Sequence, residues 1–474
     1  MMQEKIKLTN DRYRLGYHVS APAGWINDPN GFCYYKGYYH IFYQHHPYSA
    51  DWGPMHWGHA RSKDLVHWET LPIAIAPDSP EDEDGCFSGS AIVKDDVLYL
   101  IYTGHHYYGD NDPDHFWQNQ NMAYSTDGIH FTKYEHNPII AHPPKDNTHH
   151  FRDPKVWQNG EDYYLVLGSQ EEDGLGRVIV YHSKDLKEWD YLGKMAKATS
   201  RETEGFMWEC PDFFTLEANG QAKQILLFSP QGIEPQGEKY RNLFQTGYFV
   251  GDYDEEKNHL EHGEFQELDY GHDFYATQTT QSPDGRRLVI GWMDMWESDF
   301  PEKEDGWAGA LTLPRELTLV DGKLTMQPVQ EAKDLRIATL KTMTEEVVEQ
   351  TLLCSEEKQA EITLTLDKAP NLALTLKDDG ENVVLTLQYD AATKKLMLTR
   401  AGEDDPRFAT LSADLTELHL FMDTSAIEIF VNNGEAVFTE RFYTANAPAV
   451  WLEVAKATHC HGTVYRLDGQ AVTY

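Results

Sequence analysis

Read for its apolar and polar positions, the chain alternates with period two over most of its length, in short runs broken by Gly, Asn and Asp turns, and it shows no sustained helical period. The pattern also repeats. After Trp25-Ile26-Asn27-Asp28-Pro29-Asn30-Gly31 a strand runs to a Lys36-Gly37 turn, and a second aromatic strand follows through Tyr39-His40-Ile41-Phe42-Tyr43. The same design returns at Phe87-Ser88-Gly89-Ser90, Arg152-Asp153-Pro154, Trp208-Glu209-Cys210-Pro211 and Phe274-Tyr275-Ala276-Thr277, each leading through a strand and a turn into a second strand. Between these copies lie three shorter repeats, Ser62-Lys63-Asp64-Leu65-Val66-His67-Trp68, Ser125-Thr126-Asp127-Gly128-Ile129-His130-Phe131 and Ser183-Lys184-Asp185-Leu186-Lys187-Glu188-Trp189, which read as hairpin turns carrying a packing aromatic.

Strand-rich self-similarity at a fixed period predicts an all-β fold, a five-bladed β-propeller over residues 1–326. Beyond a linker at 327–340 the alternation continues in Ile362–Leu366, Val384–Leu387, Ile427–Val431 and Val450–Val454, with a hairpin signal at Asn432-Asn433-Gly434. Residues 341–474 therefore predict a C-terminal β-sandwich.

A propeller changes how the motifs are read, because the innermost strands line a central channel and their first residues converge. Those heads are Asp28, Ser88, Asp153, Glu209 and Tyr275. Three carboxylates gathered at one place are costly unless paired or used. Pro29 biases Asp28 toward an extended backbone, so its carboxylate can be aimed as a nucleophile or charge stabiliser, with the Asn27 amide to order it.

Composition narrows the partners. Forty Lys and Arg against 77 Asp and Glu give a formal net charge of -37, which repels polyanions and makes nucleic acid and anionic membranes poor partners. No apolar stretch follows the charged first residues and none is long enough to span a bilayer, and the five cysteines Cys33, Cys86, Cys210, Cys354 and Cys460 form neither a disulfide framework nor a zinc pattern. The expected location is cytoplasmic. The pairs His45-His46, His105-His106 and His149-His150, with His459-Cys460-His461, invite a metal reading, but adjacent side chains on a strand face opposite ways and no partner carboxylate spacing accompanies them, so neither metal nor cofactor is expected. The sandwich faces could support a homodimer, though nothing in the sequence marks an interface.

The four motifs Trp25–Gly31, Phe87–Ser90, Arg152–Pro154 and Trp208–Pro211, in this order and ahead of a β-rich C-terminal part, resemble glycoside hydrolase family 32, the invertases, sucrose-6-phosphate hydrolases and fructan hydrolases. The resemblance implies retaining cleavage of terminal β-D-fructofuranosides through a covalent fructosyl intermediate, with Asp28 as nucleophile, Glu209 as general acid/base and Asp153 as transition-state stabiliser. It also implies a fructosyl pocket made by Asn27, Gln44, Trp52, Phe87, Ser88, Arg152, Tyr275 and Trp292. Such chemistry asks for an ionised Asp28 and an initially protonated Glu209, with carboxyls roughly 5–5.5 Å apart. A fructosyltransferase, a noncatalytic fructan-binding protein and an inverting or arabinan-degrading enzyme on a related scaffold are the alternatives. Sucrose, sucrose 6-phosphate and short fructo-oligosaccharides remain open as substrates, and no phosphate grip can be placed among Arg201, Lys239, Arg241 and Lys303.

Overall fold

The computed structural model describes residues 4–474, side chains at 345–348 excepted. Each motif opens the innermost strand of a sheet. The second sheet runs Gly85–Lys94, Val97–Tyr107, Phe116–Ser125 and Thr132–Lys133, and the third Asn147–Asn159, Asp162–Glu171, Gly176–Ser183 and Asp190–Lys197. The fourth runs Met207–Ala218, Gln221–Gln231, Gly247–Asp254 and His259–His262, with Gln266–Glu267 also on its third strand, and the last Tyr275–Gln281, Arg287–Trp292, Arg315–Val320 and Lys323–Pro328. These four are self-contained antiparallel blades.

The expectation of five blades does not hold: among the described residues the propeller has four blades of this kind. The first sheet is built differently. Its strands Gly24–Tyr35, Tyr38–His46, His56–Ser62 and Trp68–Ile75 are joined by Trp307–Ala308, parallel to Gly24 and Trp25, and by Val472–Thr473, parallel to Trp68 and Glu69. This six-stranded sheet sits between the last blade and the second sheet, so that the five inner strands stand side by side around one axis. Both added strands are two residues long, which leaves no periodicity to read in advance.

The three shorter repeats form the same turn. Asp64 Oδ1 accepts from the N–H of Val66 (3.1 Å) and His67 (2.8 Å), and Asp185 Oδ1 accepts from Lys187 (2.8 Å) and Glu188 (3.0 Å). The aromatic then folds back, with Trp68 Nε1 donating to Leu65 O and Trp189 Nε1 to Leu186 O. Side chains between adjacent sheets make the core, as where Ile101 and Met122 of the second sheet meet Phe151, Val156 and Leu165 of the third.

The C-terminal region is a β-sandwich whose two layers share long strands. Ala449–Leu467 pairs through Ala449–Val454 with Leu372–Lys377 and through Cys460–Arg466 with Ala360–Leu366, and Arg336–Cys354 runs along it. Buried charges tie this region to the propeller. Arg315 reaches Asp269 at 2.9 Å and Glu428 at 2.9 Å, Arg441 reaches Asp294 at 3.1 Å and Glu302 at 3.2 Å, and His18 lies between Asp423 and Glu428.

Candidate active site

The five inner strands share a local device. Each carries a register shift at its motif: between Ile26 and Pro29, Phe87 and Gly89, Glu209 and Asp212, Tyr275 and Thr277, and opposite Val166 and Gly168 for the strand holding Asp153. A bulge adds a residue to one strand and re-aims its side chain. In three of the strands the chain passes through the left-handed region there, at Asp153 (φ 67°), Cys210 (φ 48°) and Ala276 (φ 48°). Non-glycine residues adopt it at a cost that the surrounding sheet must hold.

The result is one connected cluster. Ser88 Oγ donates to Asp28 Oδ2 at 2.7 Å, and Asn27 Nδ2 donates to Asp28 Oδ1 at 3.0 Å. Because Trp25 Nε1 donates to Asn27 Oδ1 at 2.8 Å, the amide is held with its NH₂ toward Asp28. Cys210 N–H donates to Asp153 Oδ2 at 2.9 Å, while its thiol lies 3.4 Å from Asp28 Oδ2 and 3.6 Å from Asp153 Oδ2. Arg152 grips Glu209 Oε1 through Nε (3.0 Å) and Nη2 (2.7 Å), and Tyr275 Oη and Gln231 Nε2 (2.9 Å) donate to Oε2. All five heads therefore meet. Asp28 and Glu209 are partly exposed, whereas Asp153, Ser88, Arg152 and Tyr275 are buried.

Electrostatics follow from this crowding. Burial first, and then the charge of Glu209, raise the pKa of Asp28, against which the donors Ser88, Asn27 and Cys210 favour the carboxylate. Burial likewise raises Asp153, to about 7; Arg152 opposes the rise, and Glu209 and Asp28 add to it. Burial, with Asp153 and Asp28 close by, lifts the Cys210 thiol well above its ordinary value, so it acts as a donor and not as a thiolate.

The expected pocket residues divide. Asn27, Ser88, Arg152 and Tyr275 touch the carboxylates directly. Phe87 stacks flat on His105 at 4.1 Å between centroids, and Trp52, 39% exposed, meets it edge-on at 6.0 Å. Gln44 is buried beneath, donating to Asn30 Oδ1 (2.7 Å) and Cys86 O (3.1 Å). Trp292 is wholly buried among Trp25, Trp296 and Phe300. Gln231 was not visible in the sequence, since it reaches the cluster only through strand pairing, opposite Met207; His150, two residues before Arg152 on the same strand, takes a bond from Arg152 Nη1 at 2.9 Å. Among the basic candidates for a phosphate grip, Arg241 is held by Asp405, and Lys303 pairs with Asp51 at 2.9 Å.

Comparison with known proteins decides the family. Residues 18–328 match the model of the glycosyl hydrolases family 32 N-terminal domain, and residues 327–464 that of the family 32 C-terminal domain. The chain belongs to glycoside hydrolase family 32. This family-32 hydrolase is 43% identical to a sucrose-6-phosphate hydrolase of Escherichia coli, over 90% of this chain and 88% of that protein, and 40% identical to an Escherichia coli raffinose invertase, over 90% and 89%. It superposes on a Bombyx mori family-32 β-fructofuranosidase variant solved with sucrose at a TM-score of 0.89 and 40% identity, covering 98% of this chain and 96% of that one. A sucrose-6-phosphate hydrolase of Lactobacillus gasseri gives 0.86 and 31%, over 97% and 94%. No helix among the described residues is long and apolar enough to cross a membrane.

Proposed function

We propose that this β-fructofuranosidase cleaves its substrate with retention, Asp28 attacking C2 of a terminal fructosyl unit while Glu209 protonates the departing glycosidic oxygen. The observation that carries the assignment is the single cluster in which Cys210 bridges Asp28 and Asp153 while the adjoining residue, Glu209, is held by Arg152, Gln231 and Tyr275. Splitting a ketoside builds positive charge on the fructosyl ring, so a carboxylate must meet C2 and a carboxyl must supply the proton. Ser88 and Asn27 stabilise Asp28 as the anion that attacks. In the second half of the reaction Glu209 takes a proton from water, which then displaces Asp28. Asp153, fixed by the Cys210 N–H and linked through the Cys210 thiol to Asp28, holds the fructosyl hydroxyls.

The substrate is sucrose, its 6-phosphate or a short fructo-oligosaccharide. The names of the relatives support the first two, and the charge of -37 favours the neutral sugar wherever no local basic grip offsets it. A cytoplasmic location agrees with five buried cysteines that form no disulfide among the described residues. The test is hydrolysis of sucrose, sucrose 6-phosphate, 1-kestose and inulin by the wild type and by Asp28→Asn. The variant folds and loses turnover on all four; substantial remaining turnover refutes Asp28 as nucleophile.

A further inference from the structure

At the end of the strand Val97–Tyr107, next in sequence to the His105 that stacks on Phe87, the imidazole of His106 lies buried and flat against Trp117 at 3.8 Å between centroids. Its Nε2 is 3.0 Å from the carbonyl oxygen of Glu81. A carbonyl can only accept, so Nε2 carries the hydrogen and Nδ1 of the neutral ring presents its lone pair. That Nδ1 is buried and has no hydrogen-bond partner among the described residues. It faces Glu83 Oε1 at 3.9 Å, and with an Asp84 oxygen the three ligand atoms lie within 4.8 Å of one another. Asp84 Oδ2 accepts the Tyr107 N–H at 2.7 Å, which orients its carboxylate.

Three lone-pair donors thus converge with no hydrogen between them. The 3.9 Å gap is too long for a proton on Nδ1 to be shared with Glu83. A metal bound at about 2.0–2.2 Å to both nitrogen and oxygen spans such a gap with little movement. The Glu83 side chain, 66% exposed, is free to close the remainder. A histidine whose second nitrogen is fixed by a backbone carbonyl is also how proteins orient metal-ligating imidazoles. We propose that His106, Glu83 and Asp84 form a binding site for a divalent transition cation, zinc or manganese in class, with water completing its shell.

The mixed nitrogen and carboxylate set disfavours calcium and magnesium, which prefer oxygen alone, and the absence of thiolate disfavours copper(I). The cation does not join the reaction. It pins the acidic segment 81–84 to the strand end, and that segment runs directly into Phe87 and Ser88, whose positions shape the fructosyl hollow. The sequence hid this site because the carboxylates come from 22 and 23 residues before the histidine, brought beside it only by pairing of Gly85 with His105.

The test is calorimetric titration of zinc chloride and manganese chloride into the chelator-treated full-length enzyme, with thermal midpoints measured alongside. The wild type binds one equivalent at this site and its midpoint rises by several degrees, while Glu83→Gln and Asp84→Asn weaken binding about 10–100-fold. His106→Gln removes it; because His106 is buried, the exposed Glu83→Gln variant carries the conclusion should that protein misfold. Absence of wild-type binding below about 1 mM, or equal affinity in wild type and Glu83→Gln, overturns the proposal, the second outcome assigning the ion to other histidines of the chain.

Discussion

The thiol of Cys210 lies 3.4 Å from Asp28 Oδ2 and 3.6 Å from Asp153 Oδ2, so a single weak donor stands between two carboxylates drawn from different sheets. The hydrogen bond lowers the pKa of Asp28 against the burial that raises it. Replacing Cys210 with Ala removes this opposition. The acidic limb of the kcat/KM profile of Cys210→Ala therefore moves to higher pH, because Asp28 must lose its proton to attack; an unmoved limb excludes the thiol from control of Asp28 ionisation.

Tyr275 and Gln231 donate to one oxygen of Glu209 while Arg152 holds the other. A hydrogen bond to a charged group contributes about 1.5–3 kcal/mol, so Tyr275→Phe lowers kcat roughly 10–100-fold. The thermal midpoint stays near that of the wild type because the ring keeps its packing against Phe244. Equal loss in KM alone assigns Tyr275 to substrate binding instead.

Gly168 lies where a Cβ would sit 2.0 Å from the carbonyl oxygen of Trp208, the residue before Glu209. Backbone meets backbone there, and neither side chain rotation nor water can relieve it. Gly168→Ala pushes the Glu209 strand outward, and a displacement near 1 Å costs about 100-fold in turnover. Steady-state kinetics on the folded variant checks this; an unchanged kcat shows that the two sheets separate freely.

His18 joins the sandwich to the propeller through both ring nitrogens, 2.9 Å from Asp423 Oδ2 and 2.8 Å from Glu428 Oε1. Burial alone would lower its pKa, yet the two carboxylates outweigh burial and raise it above the ordinary 6.5. A raised histidine gives its full stabilisation below 6.5 and loses it as pH climbs through the folded value. Asp423 and Glu428 are lowered from 3.8 and 4.5, mainly by His18 and Arg315 against burial, and give theirs above those values. The contribution of the triad is therefore greatest between pH 4.5 and 6.5. His18→Gln takes the charged partner from buried Asp423, while Glu428 keeps Arg315, at a cost of about 3–5 kcal/mol, largest in that window. Denaturant melts of both proteins across pH 4 to 9 measure it; a difference that does not vary with pH rules out a charged His18.

Much of this was legible in the chain. Asp28, Ser88, Asp153, Glu209 and Tyr275 could be placed together because each opens a repeat, and the Asx turns at Asp64 and Asp185 follow from local chemistry alone. What escaped depended on pairing between distant segments. Trp307–Ala308 and Val472–Thr473 are too short to carry a pattern, and they make the first sheet unlike the other blades. Gln231 is an ordinary strand residue until register sets it beside Glu209. Trp292 shows the converse, since its motif placed it in the pocket wall while its ring is sealed inside an aromatic cluster.

The pairing of Val472–Thr473 with Trp68–Glu69 carries a consequence for biosynthesis. A ribosome delivers the motif that holds Asp28 hundreds of codons before the segment that completes its sheet. The nascent ring must wait with that outer edge open until the sandwich has emerged, so ribosome-bound intermediates truncated before residue 472 carry an unsealed first sheet.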